Sequence, residues 1–125
     1  MKYLTLIRHS ESFYYQSSPP PALMEATGKF IERLVKDGVF ADRGGGLLPS
    51  KDGVRVRLAN GKITVTDGPF SESKEVIAGF AILNVNSKEE VVRIETEFME
   101  LCRKYWPAFE GEAEVRPMFA PGEGP

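Results

Sequence analysis

Polar and apolar residues succeed one another along this chain in two rhythms, one of period two and one of period three to four. Residues 2–8 (KYLTLIR) are short and β-prone. Leu4 and Leu6 fall on one face and Tyr3, Thr5 and Ile7 on the other, which predicts a central strand that is apolar on both sides. Residues 10–21 (SESFYYQSSPPP) end in three prolines, which neither continue a helix nor pair inside a sheet. This stretch reads as a loop whose aromatics Phe13, Tyr14 and Tyr15 need a surface to cover. Over residues 22–37, Leu23, Thr27, Phe30, Ile31 and Leu34 recur at helical spacing and form one apolar stripe. Pro20 and Pro21 sit at its start and Gly38 offers a left-handed cap at its end. Gly28 costs about 1 kcal/mol relative to Ala in mid-helix, and close packing is its expected reason.

Val39 to Arg43 predicts a short strand, and Gly44-Gly45-Gly46 a flexible turn. The triple glycine lacks the spacing and the Lys-Ser/Thr of a phosphate cradle. Residues 54–66 (VRVRLANGKITVT) carry the clearest local signal. Asn60-Gly61 is the preferred pair for a two-residue type I′ turn. With that pair at the tip, Leu58 faces Ile63 and Val56 faces Val65, while Arg57 faces Thr64 and Arg55 faces Thr66. Turn chemistry and alternation agree on one register. Residues 78–85 (AGFAILNV) form a further strand. Ser87 and Glu90 make a capping box, and the helix behind it runs to Tyr105 on Val91, Ile94, Glu95, Phe98, Leu101 and Cys102. Trp106-Pro107 stops it. Residues 113–118 close the pattern as a last strand, and residues 119–125 read as a flexible tail.

The order is strand, helix, strand, inserted hairpin, strand, helix, strand. It predicts a ferredoxin-like α+β sandwich over residues 1–118. Two helices cover one face of its sheet. With Tyr3 and Ile7 placed on the other face, a second copy of the chain is expected to cover them, because a large wet apolar face is unusual in a soluble monomer.

Composition narrows the function. There are 16 Lys+Arg against 18 Asp+Glu, a net charge of −2, and no basic excess to attract nucleic acid. One cysteine excludes an internal disulfide framework, and one histidine excludes a metal site built from several histidines of one chain. No apolar run approaches the roughly 20 residues that span a bilayer. The opening KYLTLI is too short for a signal peptide, so a cytoplasmic location is expected, with which unpaired Cys102 agrees. No cofactor fingerprint, metal cluster or nucleophile–base pair stands out.

Asp67-Gly68-Pro69-Phe70 and the residues after it, Glu72, Lys74, Glu75, Gly79 and Phe80, resemble the signature of the DGPF subgroup of YCII-related proteins. The opening strand, the Gly38-Val39 pair, Gly46-Leu47 and the closing Glu114-Val115-Arg116-Pro117 are also similar. The resemblance covers residues 1–118. It implies a ferredoxin-like fold that pairs into a dimeric α/β barrel. It also implies candidate enzymes, since some YCII-type proteins carry a His–Asp pair in a cleft, and some DGPF relatives are associated with extracytoplasmic-function sigma factors. The family histidine belongs on the first helix. That helix has none here, and the sole histidine is His9, so the pair does not carry over position for position.

Asp67 is the first candidate site residue. Its carboxylate either accepts N–H groups of its own turn or stands at a cleft edge as a general base or ligand anchor. His9 is a plausible acid–base partner at a strand end, or a capping residue. Arg8-His9 resembles two residues of the Arg-His-Gly of phosphoglycerate-mutase-like phosphatases, but Ser10 replaces the glycine and the chain is short for that fold. Gly68, Pro69 and Phe70 shape the turn. Glu72 and Lys74 are either a solvated face or an anion anchor, and Arg57 either binds an anion or keeps the hairpin soluble. Cys102 reads as an inert core thiol. Two functions follow. One is a small dimeric module that binds a small molecule or acts as a regulator. The other is a cofactor-independent lyase or isomerase using Asp67 with His9.

Overall fold

The first strand, β1 (Lys2–Ser10), is the spine of the fold in the computed structural model, which describes residues 1–70 and 75–125. Short α1 (Phe13–Gln16) and then α2 (Pro21–Lys36) follow, and β2 (Phe40–Gly46) returns beside the sheet. A single 3-10 turn over Ser50–Asp52 leads into the hairpin β3 (Val54–Ala59) and β4 (Lys62–Asp67). The chain ends through β5 (Glu75–Asn84), α3 (Lys88–Tyr105) and β6 (Glu112–Pro117). The four-stranded sheet runs β2-β5-β1-β6 with every neighbouring pair antiparallel. That order is the one two interleaved βαβ units produce, and the mixed α+β architecture agrees with a ferredoxin-like fold.

Both helices pack on one face. Phe30 and Leu34 of α2 and Val91 and Ile94 of α3 meet Tyr3 and Leu83 of the sheet, with Val39 and Val85 closing the cluster. Arg33 of α2 pairs with Glu97 of α3 across the helix tops. Thr5, between Tyr3 and Ile7 in the strand alternation, is also buried. The expected assignment of faces is therefore corrected. Tyr3, Thr5 and His9 face the helices, and the open face carries half-buried Leu4 and Leu6 with their β5 partners Ile82 and Phe80.

The hairpin register is as expected: Leu58 pairs with Ile63 and Val56 with Val65. Asn60 and Gly61 have φ of 53° and 73°, the positive values a type I′ turn requires. The capping box forms in modified form. Glu90 N–H donates to Ser87 Oγ at 3.2 Å, and Glu90 Oε2 accepts from Asn86 N–H rather than from Ser87.

Three further expectations fail. The Phe13 region is not all loop, because Phe13 is buried and anchors one helical turn. The triple glycine lies inside β2 instead of forming a turn. A Cβ at Gly44 would stand 1.8 Å from the Phe80 carbonyl oxygen, so only glycine allows the two strands to approach there. Gly28 has no neighbour within 4 Å of a Cβ position, so close packing does not explain it.

Candidate functional site

At the end of β1, the strand alternation turns His9 towards the helix side, and α1 folds back over it. The imidazole is 8% exposed. It meets the Phe13 ring edge-on at 5.4 Å between centroids and the Tyr14 ring at 4.6 Å. Phe13 in turn packs on Trp106 and Phe109, at 5.0 and 5.9 Å. Trp106 Nε1–H donates to Ser17 Oγ at 2.7 Å, which ties the C-terminal end of α3 to the loop after α1.

His9 Nδ1 lies 2.8 Å from the Ser10 carbonyl oxygen. A carbonyl oxygen only accepts, so Nδ1 carries the hydrogen. In the neutral ring Nε2 then holds the lone pair, and no described residue bonds it. This is a proton acceptor of fixed orientation in an aromatic nest, suited to taking a proton or binding a donor.

Glu11 adjoins this cluster. Its Oε1 accepts the Ser50 N–H at 2.9 Å, and its Oε2 is buried with no hydrogen-bond partner. Tyr14 OH donates to the Leu47 carbonyl at 2.8 Å. Burial, then the charges of Glu11 and Tyr15, push the Tyr14 hydroxyl pKa above its usual value. Ser50 binds a second strand of chain, since its Oγ accepts the Phe70 N–H at 3.1 Å.

A groove of about 560 Å³ opens beside Phe13, lined also by Ser10, Ser17, Glu75, Glu110 and Glu112. A second groove of about 410 Å³ lies between α3 and β6, with Glu95, Thr96, Arg103 and Val115 in its walls. Glu95 reaches towards the sheet. Burial raises its pKa, partly offset by a hydrogen bond from Thr5. Among the described residues, no group of three or more His, Cys, Asp or Glu side chains is arranged to hold a metal ion. No helix among them is long and apolar enough to cross a membrane.

The other candidates scatter. Asp67 ends β4 opposite Val54 and is exposed, and it lines neither groove. Its carboxylate takes none of the described turn bonds. Gly68 N–H donates instead to the Gly53 carbonyl at 2.9 Å. Gly68 has a packing reason: a Cβ there would lie 1.6 Å from the Ser50 carbonyl oxygen. The peptide bond to Pro69 is cis. The Phe70 ring lies under the Arg55 guanidinium at 3.9 Å. Arg57 points from the polar hairpin face opposite Thr64. Glu72 and Lys74 lie outside the described residues. The structure thus gathers His9, not Asp67, into a built environment.

Sequence reading missed Glu11, Tyr14, Ser50 and Glu95. Two of them left a trace: Tyr14 as a loop aromatic that needs a surface to cover, and Glu95 as a carboxylate on the apolar stripe of its helix. Glu11 and Ser50 are 39 positions apart, and no local pattern joins them.

An uncharacterized protein of Rhizobium meliloti (strain 1021) is 33% identical over 81 residues, which is 63% of this chain. The chain spans about three-fifths of that relative's length, 61%. The model of the YCII-related domain matches residues 1–98. That match takes in β1, both of the first two helices, the hairpin, β5 and more than half of α3, and by it the chain belongs to the YCII-related family.

Proposed function

We propose that this protein is a homodimeric small-molecule-binding module of the DGPF type, with the groove beside Phe13 as its ligand site and His9 as the polar centre behind it. The observation that carries this reading is the 2.8 Å approach of His9 Nδ1 to the Ser10 carbonyl oxygen within an aromatic nest, which leaves Nε2 as the acceptor of the neutral ring. A volume of about 560 Å³ suits a small organic ligand. Three carboxylates in the wall, Glu75, Glu110 and Glu112, favour an amine or another hydrogen-bond donor.

The test is a thermal-shift screen of small amines, organic acids and nucleosides. A ligand at about 100 times its Kd stabilises by about 2.7 kcal/mol. We expect an amine to raise Tm in the wild type and to lose that effect in His9→Phe, which keeps the ring stack. A screen in which no amine shifts Tm, or in which His9→Phe responds like the wild type, overturns the reading.

A second reading is a cofactor-independent lyase or isomerase. It is favoured by the unbonded Nε2 of His9, and it assigns proton transfer to the exposed Asp67 carboxylate, which no described turn bond saturates but which lines neither groove. Asp67→Asn separates the two. An enzyme loses turnover and keeps its fold, whereas a binding module keeps its ligand-induced shift.

A further inference from the structure

Hairpin β3–β4 turns Val54, Val56, Leu58, Ile63 and Val65 to solvent, each between 55% and 71% exposed. The register puts these side chains on one face and Arg55, Arg57, Thr64 and Thr66 on the other. At roughly 100 Å² of apolar surface per aliphatic side chain, the stripe leaves about 500 Å² wet, near the top of the range for a single patch on a soluble monomer. A two-stranded hairpin is itself marginal in water. Its alternation is that of a sheet layer which packs on another layer.

The same chain carries a surface that matches it. On the open face of the four-stranded sheet, Leu4, Leu6, Phe80 and Ile82 form an apolar centre away from the helices. Along the β6 side it is bordered by charge. Arg8 Nε donates to Glu114 Oε1 at 3.1 Å, and Arg116 Nη1 donates to Glu114 Oε2 at 3.3 Å. An apolar centre with a paired ionic rim is the anatomy of a protein interface.

We propose that the hairpin is a dimerisation arm, its apolar stripe lying on the open sheet face of a second copy. Two-fold symmetry makes the contact reciprocal, so each copy gives one arm and receives one. Two stripes and the two surfaces that receive them bury about 2,000 Å² in total, an area that stable homodimers reach. The homodimer belongs to the reading above; the arm is a separate claim about which residues make it.

The test is the double variant Leu58→Lys/Ile63→Glu. These two positions face each other across the hairpin, so the new charges pair and preserve it. In light scattering after size exclusion, the wild type is expected at twice the 13.9 kDa chain mass. The variant is expected to dissociate at least about 100-fold more readily. A variant as dimeric as the wild type overturns the arm and leaves the dimer standing, whereas a wild type that is monomeric at micromolar concentration overturns both. A second measurement does not depend on the fate of that variant. Variants with one added cysteine each, Ile63→Cys and Leu6→Cys, are mixed and oxidised, with native Cys102 buried out of reach. A disulfide between the two variants is the expected product. Disulfides only between like Ile63→Cys chains mean that the stripe packs on itself, and they overturn the proposal.

Discussion

Phe13→Leu tests whether the aromatic nest holds the His9 end of β1 in place. Phe13 is 8% exposed and makes ring contacts with His9, Trp106 and Phe109. Such contacts contribute about 0.5–1.5 kcal/mol each beyond burial, and neighbouring ones are not additive. Leucine keeps most of the apolar volume but loses all three ring edges. The expected cost is about 2–3 kcal/mol. Unfolding entropy near 2.1 cal/mol/K per residue gives about 0.26 kcal/mol/K for a 125-residue chain, so Tm falls by about 8–11 °C. Calorimetry reads that fall. Nitrogen-correlated NMR of the imidazole reads the site directly, and the fraction of the Nδ1–H tautomer is expected to drop as the ring gains freedom. A Tm loss under about 3 °C with an unchanged tautomer refutes the view that Phe13 organises the site.

Three further outcomes follow from single residues. Gly28→Ala meets open space on an exposed helix surface, so it is expected to stabilise by up to about 1 kcal/mol, seen as a higher denaturant midpoint with unchanged slope. Burial raises the Glu95 pKa above its ordinary 4.5, so its contribution to stability is fully present below that value and is lost as pH rises through the raised one. Glu95→Gln is therefore expected to gain Tm over the wild type as pH climbs from acid to neutral, and a pH-independent difference contradicts the assignment. Burial pushes the Cys102 thiol up to about 11. Native protein is expected to resist iodoacetamide at pH 8, with labelling only on unfolding; rapid native labelling shows the thiol to be accessible.

Local chemistry made most elements legible. The Asn60-Gly61 turn, the Ser87 cap and the Leu23–Phe30–Leu34 stripe act within a few residues, so their outcome is written in the order of side chains. The same holds for the strand order, which follows from two βαβ units and an insertion. The face of β1 that meets the helices was not legible, because both faces are apolar and alternation alone does not choose between them. The glycines at 44–46 also read wrongly. Only the partner strand, whose Phe80 carbonyl would collide with a Cβ at Gly44, explains why they belong in β2.

The site follows the same division. Histidine at position 9 and aspartate at position 67 were evident as candidates from chemistry alone. Which of them is enclosed depends on α1 folding over the end of β1 and on Trp106 arriving from the far end of α3, 89 positions from its hydrogen-bond partner Ser17. Contacts within a turn or a helix are set by neighbours in the chain. The tautomer of His9 is set by its neighbour Ser10, but its burial is set by groups distant in sequence, which meet only once the helices have closed on the sheet.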